Sequence, residues 1–385
     1  MTYYIHANKF FLNNTTENGG YLEVTDNGDF GEYIPEDKKP SGKIVDYSDK
    51  WIAPGLIDTH IHGIAGKDVM DNDWQSIETM SNALLKCGVT SWLPTTITGS
   101  FEQLNDICKT IGGHYGEETG AKVQGINFEG PFFTEKHKGA QNPKYFTDPD
   151  LKEFDEWQKS AKGHLRQITV APERKEAVEF VSKVAQTGVT VALGHSDATF
   201  EQAKACVEAG ATVFTHTFNG MSPLNHREPG MVGAAMSLDN VNDELICDGH
   251  HINPYVAKIL IDKKTPEHVI LVTDCMSAGL MPDGDYMLGE LPVVVGGGTA
   301  TLKEPPHSLA GSILKLDLAI KNVVDWNLVT PAKAVMMASW VPAVSAKISE
   351  KCGAILPGRA ADFIVLDQSM NLCETYVDGV SRYKA

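Results

Sequence analysis

Short apolar runs alternate with amphipathic segments through the middle of the chain, from residue 51 to about residue 345. We predict strands at eight of the apolar runs, residues 51–57, 91–95, 123–128, 168–171, 189–193, 211–215, 244–247 and 269–273. A helical period is found in the segments between them, residues 73–86, 175–186, 200–209 and 254–261. This alternation predicts an α/β fold, a (β/α)8 TIM-like barrel with any functional site at the C-terminal ends of its strands. An open doubly wound sheet is the alternative, but no Gly-x-Gly-x-x-Gly follows a predicted strand.

The two ends of the chain differ from this middle part. Residues 1–50 are short, polar, turn-rich pieces, and residues 359–367 and 374–379 have the pattern of two strands joined by a turn. We predict that both ends fold together into one small β domain beside the barrel. The predicted boundaries give an N-terminal β part at 1–50, a barrel at 51–350 and a C-terminal β part at 351–385.

Residues that can bind a metal stand where the predicted strands end. His60 and His62 follow the first apolar run, and residues two apart in a strand share one face. Any one of these residues, taken alone, is more often solvated or satisfied within a core than bound to a metal. Equivalent positions at successive strand ends would gather them at one mouth of a barrel. We therefore predict a metal site built from His60, His62, Glu129, His195, His216 and Asp274.

The donor atoms of this set indicate hydrolytic chemistry. Imidazoles and carboxylates without cysteine favour a catalytic ion with open coordination positions, such as zinc or iron, over a closed structural site. The first histidine pair with Asp274 could hold one divalent ion and the two later histidines a second, with Glu129 bridging. We therefore expect one or two ions per subunit. A water activated by the metal would attack a carbonyl, and Asp274 would take its proton and pass it to the leaving amine.

Charge and composition limit the classes of molecule that we expect this protein to bind. The formal charge of −17 opposes binding to nucleic acid or to an anionic membrane, because both are polyanions. No apolar stretch approaches the roughly 18 residues that cross a bilayer, and the first residues lack a signal-peptide pattern. The seven cysteines form no Cys-x-x-Cys, which argues against a disulfide framework and a thiolate zinc site. We expect a cytoplasmic enzyme whose partner is a small molecule.

Motifs at the strand ends and in the loops point to a known family. They are PGLIDTHIHG (54–63), FEGP (128–131), KGAQNP (138–143), GHSDAT (194–199), THTFNGM (215–221), REPG (227–230), DGHH (248–251), VTD (272–274) and LAGS (309–312). Over nearly the whole chain, this set resembles the amidohydrolase superfamily and, within it, the N-acetylglucosamine-6-phosphate deacetylases. PGRAAD (357–362) resembles the superfamily's return into its β domain.

That resemblance implies a fold, an activity and an assembly. The fold would be a barrel flanked by a β-sandwich, and the assembly a homodimer. The activity would be hydrolysis of the acetamide of N-acetyl-D-glucosamine 6-phosphate to D-glucosamine 6-phosphate and acetate. Glu129, His195 and His216 would be metal ligands, and Asp274 the catalytic acid and base. The substrate would meet Ala140, Gln141, Asn219, Gly220, Arg227, His251, Leu309, Ala310 and Gly311.

The phosphate site is the part that the residues alone support least. Arg227 lies in a predicted loop, where an Arg can grip a phosphate with two hydrogen bonds or can remain solvated. In the family that this chain resembles, that Arg reaches the phosphate from the neighbouring subunit, so a dimer would complete the site.

Two positions vary within the family. Some members replace the His60 and His62 pair with non-ligands and use one ion, whereas this chain keeps both. Position 141 is Gln, where some members have His near the substrate carbonyl. Gln can donate a hydrogen bond but carries no charge. Our hypothesis is that a second ion supplies the polarisation that His would give.

Other functions remain open at this point. One is deacetylation of N-acetylgalactosamine 6-phosphate, whose sugar differs in the configuration of one hydroxyl. Two further amidohydrolase hypotheses are an N-acyl-amino-acid deacylase and a dihydroorotase-like cyclic amidase. The cyclic amidases typically bridge two metals with a modified Lys, whereas this chain has Glu129 at that position. A metal-free scaffold without activity is disfavoured, because every metal-binding residue and Asp274 are present.

Overall fold

Strands and helices alternate along most of the chain in the computed structural model, which describes residues 1–13, 15–305 and 307–385. The strands are β1 (Tyr3–Phe11), β2 (Thr16–Asn18), β3 (Tyr21–Val24), β4 (Phe30–Ile34), β5 (Lys43–Pro54), β6 (Leu56–Ile61), β7 (Gly63–Ile64), β8 (Lys67–Asp68), β9 (Val89–Thr96), β10 (Lys122–Val123), β11 (Ile126–Phe132), β12 (Leu165–Val170), β13 (Thr190–Leu193), β14 (Val213–Phe214), β15 (Asn242–Leu245), β16 (Val269–Leu271), β17 (Gly284–Leu288), β18 (Leu291–Gly296), β19 (Thr299–Leu302), β20 (Phe363–Leu366), β21 (Leu372–Val377) and β22 (Val380–Lys384). The α-helices are α1 (Trp74–Leu84), α2 (Phe101–His114), α3 (Leu151–Ser160), α4 (Ala177–Gln186), α5 (Phe200–Ala209), α6 (Gly230–Ser237), α7 (Pro254–Lys264), α8 (Leu316–Asp325), α9 (Pro331–Met337) and α10 (Trp340–Ser345).

Parallel strands form a nearly closed barrel, which confirms the predicted fold class. Its strand order is β6, β9, β11, β12, β13, β14, β15 and β16. The short strand β10 also pairs with β9, beside β11. The two ends of this order meet through backbone bonds, because Asp274 N donates to His60 O at 2.9 Å and His62 N donates to Cys275 O at 2.9 Å. The four predicted helices appear as α1, α4, α5 and α7, within a few residues of their expected bounds.

The first apolar run departs from its prediction. We predicted one barrel strand over residues 51–57, but β5 ends at Pro54 and β6 begins at Leu56, in a different sheet. Gly55 lies between them and passes so close to Thr90 that a Cβ there would come within 2.0 Å of its Oγ1. Only glycine fits that approach, so the chain crosses from the outer sheet into the barrel at this residue.

Both ends of the chain contribute to one mixed sheet, as predicted. Its order is β22, β21, β20, β5, β1, β3 and β4, with β2 paired to β1. Strand β5 runs parallel to β1 and antiparallel to β20, which ties the N-terminal strands to the C-terminal ones. A separate core under this sheet contains Ile5, Phe10, Phe30, Phe363 and Val365. The domain boundaries at 50/51 and 350/351 remain predictions.

A three-stranded antiparallel sheet, β17–β18–β19, was not predicted. It follows Asp274 in the chain, and its buried side chains pack with Ile97 and Met276 beside the barrel mouth. The turn at Gly297 and Gly298, which have φ angles of 62° and 85°, joins β18 to β19. Within the described ranges, no helix has the length and apolar character required to cross a bilayer.

Candidate metal-dependent active site

The six predicted metal-binding residues converge at the C-terminal mouth of the barrel, and all are buried. Glu129 lies at their centre: its Oε1 is 2.9 Å from His195 Nε2 and 2.9 Å from His216 Nε2, and its Oε2 is 3.2 Å from His62 Nε2. His62 Nε2 is also 3.0 Å from Asp274 Oδ1. Two overlapping groups have ligand atoms within 4.8 Å of one another, namely His60, His62 and Asp274, and His60, Glu129 and His216.

The backbone turns sharply where three of these residues leave their strands. His195, His216 and Asp274 have φ angles of 46°, 30° and 49°. This left-handed conformation costs a non-glycine residue on the order of 1–3 kcal/mol, and it persists where the surrounding structure enforces it. Here the conformation directs all three side chains into the barrel mouth. After His195, a capping box between Thr199 and Gln202 begins helix α5.

A second layer of hydrogen bonds orients each imidazole. Each Nδ1 contacts an acceptor: Glu244 Oε2 at 3.0 Å for His60, Thr95 O at 3.1 Å for His62, His137 O at 3.0 Å for His195 and Asn219 O at 3.2 Å for His216. A carbonyl or carboxylate oxygen only accepts, so each Nδ1 carries a proton and each Nε2 faces the centre, where it can bind a metal ion in its deprotonated form. His60 Nε2 is buried without a hydrogen-bond partner among the described residues.

Electrostatics make this centre a site for positive charge. Burial would lower the pKa of His62, but the carboxylates of Asp274 and Glu129 raise it to about 10. Burial would raise the pKa of Glu129, yet the imidazoles of His195, His216 and His60 hold it well below its ordinary value. The carboxylates therefore stay ionised and require cationic partners. A divalent ion meets that requirement with the same donor atoms, so these residues fit a bound metal of the kind that imidazole and carboxylate ligands select.

A cavity of about 370 Å³ opens onto the metal-binding atoms. Most of the predicted substrate-binding residues line it: Ala140, Gln141, Asn219, Gly220, His251, Leu309 and Gly311. Ala310 is fully buried in the core beneath the β17–β18–β19 sheet. Arg227 is exposed on the loop before α6 and does not line the cavity of its own chain. Lys136 and His137 also line the cavity, and we did not predict them.

Two of the cavity residues are held by specific contacts. Gln141 Nε2 donates to Glu129 Oε2 at 2.6 Å, and Gln141 Oε1 accepts from Thr98 N at 2.9 Å. His251 Nδ1 is 2.7 Å from Asp248 Oδ2, which leaves Nε2 as the free ring nitrogen at the cavity wall. Gln141 therefore touches the metal-binding cluster, and His251 offers a hydrogen-bonding group to a ligand.

Glu244 is a further site residue that sequence reasoning missed. It is fully buried, and its carboxylate accepts from His60 Nδ1, from His216 N at 3.3 Å and from Gln167 Nε2 at 3.0 Å. The sequence feature that could have identified it is a carboxylate at the start of an apolar strand, because a buried charge needs a partner. Its contact with His60 makes it part of the layer that orients the metal-binding atoms.

We expect Glu244→Gln to weaken metal binding by about 10–100-fold, the usual cost of losing such an orienting partner. The amide has one oxygen for the three donors that the carboxylate serves, so His60 loses a fixed orientation. Competition with a chromogenic chelator would measure the affinity, and Glu228→Gln at an exposed position is the matched control. Equal affinities for the two variants would contradict this role.

Comparisons with known proteins agree with this geometry. The family model described as the amidohydrolase family matches residues 51–382. An N-acetylgalactosamine-6-phosphate deacetylase of Escherichia coli O157:H7 is 38% identical over 334 residues, 85% of this chain and 86% of the relative. An N-acetylglucosamine-6-phosphate deacetylase of Vibrio furnissii is 36% identical over 330 residues, 85% of this chain and 82% of the relative.

Solved structures give the same result for the fold. An N-acetyl-D-glucosamine-6-phosphate deacetylase variant from Mycobacterium smegmatis, in complex with N-acetyl-D-glucosamine-6-phosphate, matches with a TM-score of 0.92 and 26% identity over 100% of both chains. The N-acetylglucosamine-6-phosphate deacetylase from Thermotoga maritima matches with a TM-score of 0.87 and 29% identity, also over 100% of both chains. This chain therefore belongs to the amidohydrolase family, in the group that contains these deacetylases.

Proposed function

We propose that this protein is a metal-dependent deacetylase that hydrolyses the acetamide of N-acetyl-D-glucosamine 6-phosphate to D-glucosamine 6-phosphate and acetate. The observation that carries the proposal is the cluster itself. Four imidazole Nε2 atoms, from His60, His62, His195 and His216, surround the carboxylate of Glu129 at the floor of a cavity. The deacetylase relatives and the structural match to a complex with this sugar phosphate support the substrate.

The chain's own residues supply the proton transfers of an amide hydrolysis. When bound, a divalent metal would polarise the amide carbonyl and make a water more acidic. Asp274 is held in place through its backbone N, and its carboxylate is slightly exposed at the cavity. It accepts the proton of the attacking water and returns it to the nitrogen of the leaving amine. Gln141 lines the cavity and donates to Glu129, so it helps to hold this carboxylate in position.

Metal identity, ion number and assembly belong to the same proposal. The donor set suits zinc or iron, and we propose two ions per subunit because both His60 and His62 accompany the other ligands. We also propose a homodimer in which Arg227, exposed and outside its own cavity, binds the phosphate in the partner's site. A cytoplasmic location is part of the proposal, as expected for an enzyme of sugar-phosphate metabolism.

The experiment that tests this function measures acetate release by the metal-loaded protein. The substrates are N-acetylglucosamine 6-phosphate, its galactosamine epimer and unphosphorylated N-acetylglucosamine. We expect the highest kcat/KM for the first and at least about a hundredfold loss without the phosphate, because a buried charge-assisted contact is worth a few kcal/mol. Activity on none of the three, in protein that retains metal, would overturn the proposed function.

A second candidate is deacetylation of N-acetylgalactosamine 6-phosphate. It is supported by the E. coli O157:H7 relative, whose 38% identity is similar to the 36% of the glucosamine enzyme of Vibrio furnissii. Identity at this level does not separate the two epimers. A kcat/KM for the galactosamine substrate that exceeds the glucosamine value would favour the second candidate.

A further inference from the structure

The loop over residues 134–147 forms one wall of the active-site cavity, and most of its side chains are only partly buried or exposed. It carries Ala140 and Gln141, and Gln141 is the one buried residue in this range. A second cavity of about 430 Å³ lies on the other side of the loop. Its walls include Asn142 and Tyr145 of the loop and Tyr286 and Leu291 of the β17–β18 hairpin. Because space rather than packed side chains lies there, the position of residues 142–145 depends mainly on their polar contacts.

The loop contacts the metal-binding cluster at two points, because His137 O accepts from His195 Nδ1 and Gln141 contacts Glu129. The side-chain amide of Gln141 joins two elements, since it donates to Glu129 Oε2 and accepts from the backbone N of Thr98. These bonds measure 2.6 and 2.9 Å, so a displacement of the loop by about 1 Å away from the two partners would break them. The geometry of Glu129 is therefore coupled to the position of this loop.

Glu290 fixes the same loop from the opposite side. Gly289 and Glu290 form the two-residue turn between β17 and β18, and Gly289 has a φ of 52°. Glu290 Oε2 accepts from Asn142 Nδ2 at 3.1 Å, and Glu290 Oε1 accepts from the hydroxyl of Tyr145 at 2.9 Å. One carboxylate thus binds two loop residues that are more than 140 positions away in the chain.

The hairpin that presents Glu290 is anchored next to the catalytic centre. Leu288 and Val293 are buried with Met276, two residues after Asp274. The hydroxyl of Ser277 donates to the carbonyl of Met287 at 3.1 Å. Leu288 itself lines the active-site cavity. The hairpin is therefore a fixed support, and the loop is the part that depends on it.

We propose that Glu290 is a positioning residue that latches the loop over residues 134–147 and so holds Gln141 against Glu129. A charge-assisted pair of hydrogen bonds at the tip of an anchored hairpin stabilises one loop position over others. Loss of the latch lets Gln141 move away from Glu129, which then loses this hydrogen-bond donor. The effect on activity rests on the proposed function, whereas the effect on loop mobility does not.

The test compares Glu290→Ala with Glu290→Gln. In Glu290→Ala we expect faster backbone hydrogen exchange confined to residues 134–147, and a kcat/KM on N-acetylglucosamine 6-phosphate lowered about three- to fivefold, because water weakens the hydrogen bonds of this exposed carboxylate. Glu290→Gln keeps an oxygen that accepts from Tyr145, so both effects should be partly reversed. Asp285→Ala is the matched control, because this exposed carboxylate of the same hairpin pairs with Lys303 rather than with the loop.

A double variant, measured by hydrogen exchange and by kcat/KM, completes the test of the latch. Tyr145→Phe combined with Glu290→Ala should cost less than the sum of the two single changes, because both remove one contact. Exchange in residues 134–147 that matches the Asp285→Ala control, or faster exchange with unchanged kcat/KM, would overturn the latch. A wild-type protein without deacetylase activity would overturn the proposed function instead, and hydrogen exchange would then decide the latch alone.

Discussion

Replacing Asp274 by Asn is expected to lower kcat for acetate release by about 10²–10⁴-fold, the range that general acid–base catalysis contributes. Asn has nearly the same shape, and the backbone N of Asp274 would still donate to His60 O at 2.9 Å. The fold and most of the metal-binding cluster should therefore persist. What is lost is a buried carboxylate that can take a proton from water and return it to the leaving nitrogen. Acetate release and metal content per chain, measured on one preparation, give the result.

The control for this variant is Asp239→Asn, which removes a carboxylate from the surface after helix α6. It should retain both metal and activity. An Asp274→Asn protein with full metal content and a rate within a few-fold of wild type would show that another group transfers the proton. A variant that loses its metal would show instead that Asp274 is needed as a ligand, since its Oδ1 lies 3.0 Å from His62 Nε2.

The barrel and the convergence of the six candidate metal-binding residues at its mouth could be predicted, because both depend on local patterns. The run at 123–128 ends directly before Glu129, whereas in the structure Glu129 is the middle residue of β11 (Ile126–Phe132). The run at 211–215 ends before His216, although only Val213–Phe214 pair as a strand. In a parallel barrel all strand ends meet at one rim, so residues at equivalent positions become neighbours whatever their distance in sequence.

The residues that were missed act through contacts that no local pattern reports. Glu244 lies at the start of a predicted strand, but its role comes from His60, 184 positions away. Glu290 belongs to a hairpin that follows Asp274 in the chain, and its partners lie on another loop. Gly55 divides an apolar run because of Thr90 on a neighbouring strand. In each case the decisive partner is known only after the barrel has brought distant segments together.

Replacing His60 and His62 together by Asn is expected to leave one metal ion per chain and to lower acetate release by about a hundredfold or more. One ion would still be held by Glu129, His195 and His216, because Glu129 Oε1 lies 2.9 Å from both His195 Nε2 and His216 Nε2. The lost ion is the one that we expect to polarise the substrate carbonyl, an effect worth several kcal/mol. Metal analysis of the wild-type and double-variant proteins, together with acetate release, measures both quantities.

A third substitution separates loss of polarisation from general damage to the site. Gln141 lies against Glu129 at 2.6 Å, so a His at this position would reach the same part of the cavity and could carry a positive charge. Adding Gln141→His to the double variant should recover about tenfold or more of the lost rate while the protein still binds one ion. In the wild-type background the same change should give no gain, because the second ion already polarises the carbonyl. Full activity of the double variant with one ion per chain would refute the two-ion hypothesis, and the catalytic work would then rest on Glu129, His195, His216 and Asp274.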